Sequence, residues 1–168
     1  KEENRSTVDS PAPSEHFVGR EDKIAELVNA LLDQETNVIS LWGPGGVGKT
    51  ALITAVLEQL APSASPPRQF PDGILYYNFY GNHTFEDACH YIGNFFDDKS
   101  LQESLAQDKI QTPTAADIAR RALRNKQALI VLDGAEEADD LNKLLDIRDR
   151  NKVLIVTRFR HKIHGRTV

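Results

Sequence analysis

Residues 43–50 read Gly-Pro-Gly-Gly-Val-Gly-Lys-Thr, which fits the spacing G-x-x-x-x-G-K-[ST] of a phosphate-binding loop. Each residue type has a separate physical reason to be there. A polyphosphate needs several donors converging on it, and backbone N–H groups supply them where the chain can bend around the anion. Along Pro44, Gly45, Gly46, Val47 and Gly48, the glycines permit that bend and keep Cβ atoms off the contact surface. Lys49 brings a full positive charge to the β- and γ-phosphates, and Thr50 offers a hydroxyl to Mg²⁺. The helix that opens with Lys49, Thr50 and Ala51 points its first amides and its positive dipole end at the same anion.

A magnesium ion held by one hydroxyl needs a carboxylate nearby, and Asp133 supplies it. It ends the run Ala-Leu-Ile-Val-Leu at 128–132, in the pattern of an apolar strand delivering an acid at its C-terminal end. Ligands bind at that end of the strands in open α/β sheets. Thr157 and Arg158 close the last apolar run, so a polar group and a fixed positive charge reach the same edge.

The elements that carry these residues follow from the spacing of apolar positions. Ile24, Leu27, Val28, Leu31 and Leu32 predict an amphipathic helix over 20–32, and Leu52, Ile53, Val56, Leu57 and Leu60 another over 49–60. A strand is expected at 38–42, and an aromatic-rich one at 73–80. Between them, Pro62, Pro66, Pro67 and Pro71 enforce a surface loop over 61–72. Thr84 with Asp87, and Thr114 with Asp117, resemble capping boxes at two further helix starts. The continuous apolar runs 128–132 and 153–157 predict strands covered on both faces, with a helix over 136–148 between them. This alternation predicts a three-layer α/β fold with a parallel sheet and right-handed crossovers.

Composition bounds the remainder. The chain has 168 residues with a net charge of −5, an ordinary length for one domain. Residues 1–15, nearly free of large apolar side chains, read as a flexible arm, and 16–168 as the nucleotide-binding domain. The acidic balance argues against a nucleic-acid partner for this domain. No apolar run approaches the length of a membrane span, and the polar start carries no signal peptide. The lone Cys89 excludes an intramolecular disulfide and fits a reducing, cytoplasmic setting. The five histidines, at 16, 83, 90, 161 and 164, lack metal-ligand spacing. Arg120, Arg121 and Arg124 read as a solvated helix face. The absence of methionine and the end at Val168, just past a core strand, give the expectation of a piece of a longer protein.

Four segments in order resemble the nucleotide-binding domain of the STAND signalling ATPases, the NB-ARC class. They are residues 17–21 (Phe-Val-Gly-Arg-Glu), the loop at 43–50, residues 129–133, and residues 154–158 (Leu-Ile-Val-Thr-Arg). Residues 70–76 resemble the approach to the second strand in bacterial members. The resemblance implies that Val18, Gly19 and Arg20 lie against the adenine of ATP or ADP, and that Thr157 and Arg158 sense the γ-phosphate. It implies a P-loop sheet of order 5-1-4-3-2, in which only four strands are evident here and the fifth is expected to be missing or poorly marked. It also implies a switch in signal transduction, with ADP holding a closed monomer and ATP opening it to homo-oligomerise, in contact with other domains of the full-length chain.

One departure bears on catalysis. Many relatives carry a second acid directly after the aspartate, where this chain has Gly134. Glu136 is the nearest group able to position or deprotonate a water, and it reads equally as a solvated acid in the first turn of a helix, so hydrolysis of ATP to ADP and phosphate is expected to be slow or absent. Two alternatives stay open: an AAA-type remodelling ATPase, which requires an arginine finger and sustained turnover, and a regulatory domain that holds ADP without hydrolysing it. A small-molecule kinase would need an acceptor pocket and a lid, to which no segment is committed.

Overall fold

A computed structural model describes residues 8–12, 19–81, 84–96, 113–160 and 165–168. Helix α1 (Glu21–Leu32) leads into β1 (Val38–Trp42), the phosphate loop and α2 (Lys49–Leu60). Strand β2 (Ile74–Asn78), helices α3 (Phe85–Phe95) and α4 (Ala115–Leu123) and strand β3 (Leu129–Asp133) follow. A short 3-10 turn (Ala135–Glu137), helix α5 (Leu141–Asp146), β4 (Lys152–Thr157) and β5 (Arg166–Thr167) complete the chain. All strand pairs are parallel, in the order β2-β3-β4-β1-β5. Read from the other edge, this is the expected 5-1-4-3-2 arrangement.

The apolar strands face two ways, and the core divides accordingly. Ile39, Leu41, Leu129, Val131, Leu154 and Val156 meet α1 and α2 on one side. Val38, Ile130, Leu132, Val153 and Ile155 meet α3, α4 and α5 on the other. The period of two along each strand thus feeds two cores, which is why these strands read as unbroken apolar runs. Fully burying each such Ile, Leu or Val contributes about 1.5–3 kcal/mol relative to exposure.

Both capping boxes form. Thr84 accepts from the Asp87 amide (3.1 Å), and Thr114 from the Asp117 amide (3.2 Å). The helix expected over 136–148 is shorter than its apolar spacing suggests. Ala138 is extended, and Asp140 accepts from the Lys143 amide (3.1 Å), starting α5 afresh at Leu141. The fifth strand, expected to be missing or poorly marked, is present as Arg166–Thr167 beside Ile39 and Ser40. Two exposed polar residues leave no hydrophobic mark in the sequence, so only the pairing reveals it. Within the segment expected to be an arm, Val8 bridges to Ile74, and the Asp9 amide donates to the Ile74 carbonyl (2.8 Å).

Two buried polar side chains tie the edge opposite the phosphate loop. Lys152 Nζ donates to the carbonyls of Leu31 (2.9 Å) and Asp33, satisfying the C-terminal end of α1. Asn151 accepts from the Ala128 amide (2.9 Å) and donates to the Leu123 and Arg148 carbonyls (3.0 and 2.8 Å). Asn151→Ala strands the buried Ala128 amide and takes one of two donors from each of the Leu123 and Arg148 carbonyls, where α4, β3 and β4 meet. It should cost about 2–4 kcal/mol of stability, read as a lower urea midpoint at unchanged slope.

Candidate functional site

Because every strand is parallel, the ends of β1, β3 and β4 lie side by side. Trp42 pairs in register with Thr157, and Asp133 with Val156. The loop leaving β1 is therefore next to the Thr157–Arg158 corner, and Asp133 is one strand further on. Gly46 (φ 78°) and Gly48 (φ 85°) hold the left-handed backbone that turns the loop into α2. Gly48 is also the N-cap of α2 and has no side chain to satisfy its first amides. Those amides remain available to an anion. Pro44, Gly45 and Gly46 are exposed, and Val47 and Ala51 half-buried.

Lys49 is buried, and its Nζ donates to the carbonyls of Gly43 (2.6 Å) and Pro44 (2.8 Å). Burial lowers its pKa, while the nearby charges of Glu136 and Asp133 push it back up. Asp133 is 2% exposed. Its Oδ2 accepts from the Thr50 hydroxyl (2.8 Å) and from the Tyr76 hydroxyl (2.7 Å). Burial, then the bond to Asp133, raise the Tyr76 pKa above its ordinary value and keep the phenol a donor.

A second cluster closes the loop's far side. The Glu136 side chain is 3% exposed. Its Oε1 accepts from the Tyr80 hydroxyl (2.9 Å) and pairs with Arg158 Nε (3.2 Å), while its Oε2 accepts from the Arg158 amide (3.0 Å). Arg158 lies over the Tyr80 ring, 4.8 Å from its centroid. Its Nε stands 3.6 Å from where a Cβ on Gly45 would be. A Cβ on Gly134 would meet the Tyr80 ring at 3.0 Å, and its φ of 70° is one that side chains rarely adopt, so a second acid after Asp133 would strain the backbone and crowd the ring. Burial alone would raise the Glu136 pKa. Hydrogen bonds from its own backbone, the Arg158 amide and the Tyr80 and Thr157 hydroxyls outweigh burial and hold it below the usual carboxylate value.

The structure thus brings together Lys49, Thr50, Asp133, Glu136, Thr157 and Arg158. Gly19 and Arg20 sit exposed at the start of α1, and no hydrogen bond or ion pair among the described residues joins the Arg20 side chain to that cluster. Val18, with His16, His83, His161 and His164, lies outside the described residues. His90 stands beside Glu86 (3.8 Å), Arg120 pairs with Asp117 (3.3 Å), and Cys89 is buried. Sequence reasoning missed Tyr76 and Tyr80. Their only signal was the aromatic-rich strand, and their partners depend on its register with β3. A cleft of about 470 Å³ lined by Arg68, Phe70, Arg150 and Lys152 opens at the opposite edge, away from this chemistry.

The residues present fit Mg²⁺ and a polyphosphate. Thr50 Oγ1 and Asp133 are hard oxygen donors that already touch, and one carboxylate plus substrate oxygens is the usual complement for this ion. The open amides of α2 and the Lys49 ammonium provide the positive side.

Comparison with known proteins defines the class. The family described as the AAA ATPase domain matches residues 16–156, and the chain belongs to it. It is a P-loop ATPase domain with relatives of the NB-ARC, STAND type. Disease resistance protein RPS6 of Arabidopsis thaliana is 23% identical over 167 residues, covering 92% of this chain and 14% of the relative. Regulatory protein AfsR of Streptomyces coelicolor is 28% identical over 159 residues, covering 89% and 15%. The chain therefore spans about one-seventh of these curated relatives. The ADP form of the Aeropyrum pernix ORC2 protein aligns with a TM-score of 0.58 at 17% identity, covering 94% of this chain and 46% of that one, a likeness of fold. No helix among the described residues is long and apolar enough to cross a membrane.

The Glu136 ionisation yields a pH prediction. Its folded-state pKa is lowered, so its contribution to stability is present above the ordinary carboxylate value and is lost as pH falls through the folded value. The stability gap between wild type and Glu136→Gln, measured by urea unfolding, should narrow from about pH 6 to about pH 3. A gap that stays constant or widens would contradict the lowered pKa.

Proposed function

We propose that this domain binds ATP and ADP with Mg²⁺ and serves as the nucleotide switch of a larger regulatory ATPase. The observation that carries the reading is the convergence of the uncapped α2 amides and Lys49 with the Thr50–Asp133 contact at one strand edge. Membership of the AAA ATPase domain family and the ADP named with the Aeropyrum pernix neighbour support it. Lys49 now rests on its own loop's carbonyls, and a polyphosphate would take over that ammonium. Bound Mg²⁺ would draw charge from the phosphate oxygens, with Thr50 and Asp133 as its protein donors. Thr157 and Arg158 would read the terminal phosphate, and Gly19 and Arg20, with Val18, the adenine side.

The regulatory part of the reading rests on proportion. Relatives such as AfsR are about seven times longer than the matched region, so the site's output would pass to other domains and, with ATP, to further copies of the chain. Hydrolysis would be slow, resetting the switch rather than driving sustained work. Signalling in the cytoplasm is the setting this reading favours.

Calorimetry tests it. Wild type should bind Mg-ADP, and Lys49→Ala should weaken that binding at least about hundredfold, or about 2.7 kcal/mol. Asp133→Asn should lose most of the dependence of affinity on Mg²⁺. Trp42, 42% exposed and directly before Gly43, should report binding by fluorescence. Wild-type affinity in Lys49→Ala would refute the assignment.

A further inference from the structure

Glu136 is the acid the sequence offers for activating water, yet its surroundings suit a different task. A general base needs a carboxylate oxygen free to take a proton from water. Here Oε1 holds the Tyr80 hydroxyl and Arg158 Nε, and Oε2 holds the Arg158 amide. The side chain is almost fully enclosed, whereas its partner Arg158 is 47% exposed. What Glu136 does is fix a guanidinium. Arg158 is anchored at main chain and side chain by the same carboxylate, with Tyr80 beneath it and Gly45 of the phosphate loop beside it.

Charge makes this arrangement sensitive to the nucleotide's tail. The site holds two cations, Lys49 and Arg158, and two carboxylates, Asp133 and Glu136, close enough for both acids to act on Lys49. Asp133 is engaged by Thr50 and Tyr76, so Glu136 is the counter-ion of Arg158. A terminal phosphate reaching the mouth of the loop is a second anion for the same guanidinium. Arginine pairs strongly with either.

We propose that Glu136 is a positioning residue that occupies Arg158 when no terminal phosphate is present, and that the γ-phosphate of ATP competes with it for that guanidinium. Glu136 thereby sets the preference of the site between nucleoside triphosphate and diphosphate. The proposal rests on the nucleotide-binding reading above. Tyr80 has a supporting part: its hydroxyl holds Glu136 and its ring carries Arg158, so it strengthens the resting pair.

The test compares calorimetric affinities for Mg-ADP and for a non-hydrolysable Mg-ATP analogue. Glu136→Gln keeps the size and a hydrogen-bonding oxygen but removes the charge. It should raise the ratio of analogue to ADP affinity about tenfold. Tyr80→Phe, which keeps the ring and serves even where Glu136→Gln fails to fold, should move the ratio the same way by a few fold. With Arg158→Ala as the background, the effect of Glu136→Gln should fall below about threefold, because nothing is left to compete for. An unchanged or lowered ratio in both single variants overturns the proposal, as does an equal rise without Arg158, which would indicate plain repulsion. If wild type binds neither nucleotide, the underlying reading fails together with this one. Binding without the ratio shift sinks the proposal alone.

Discussion

Asp133 is a carboxylate with almost no access to water, and its burial demands donors. It finds them in two different elements: the first turn of α2, through Thr50, and β2, through Tyr76. These two hydrogen bonds lock the helix that follows the phosphate loop onto the sheet at the point where the loop must be held open. Hydrogen bonds to a charged acceptor contribute about 1.5–3 kcal/mol each. The requirement that one acid be satisfied therefore secures the fold at the place where the candidate site lies.

The position of that acid follows from topology. A parallel sheet sends every strand's C-terminal end to one edge, and the order β3-β4-β1 places three of those ends next to one another. Phosphate loop, Thr157–Arg158 corner and Asp133 thus need no long connections to meet. The opposite edge carries structural polar groups instead: Lys152 closes α1, and Asn151 joins the starts of β3 and β4 to the end of α4. One edge secures the fold, and the other is left free for chemistry.

Much of this was legible in the sequence because it is local. The loop's glycines, the apolar runs ending in Asp133 and Thr157, and both capping boxes declare themselves within a few residues. What escaped depends on distant register or on competition between side chains. Strand β5 is two exposed polar residues with no apolar pattern. Tyr76 meets Asp133 only because Tyr76 pairs with Val131 and Asn78 with Asp133, which puts both side chains on the α2 side of the sheet. The helix expected from residue 136 yields to Asp140, whose capping bond starts α5 later, while Glu136 turns into the site. Periodicity alone favoured the longer helix, since it counts Leu and Ala positions and ignores where an acid's oxygens go.

The polar contacts of the cluster bear on what binding would be. Two cations facing each other in a partly dry site repel unless each has a counter-charge or a set of acceptors. Lys49 has the Gly43 and Pro44 carbonyls, and Arg158 has Glu136. The site is therefore already satisfied, and a phosphate entering it exchanges one set of partners for another. Affinity under such exchange reflects a difference between two well-made states, so a residue that never touches the nucleotide can still set it. Charge-assisted contacts are also where small geometric differences weigh most, because each is about twice as strong as a neutral hydrogen bond. A site built this way would tell a diphosphate from a triphosphate without any change in the loop that grips the shared part of the ligand.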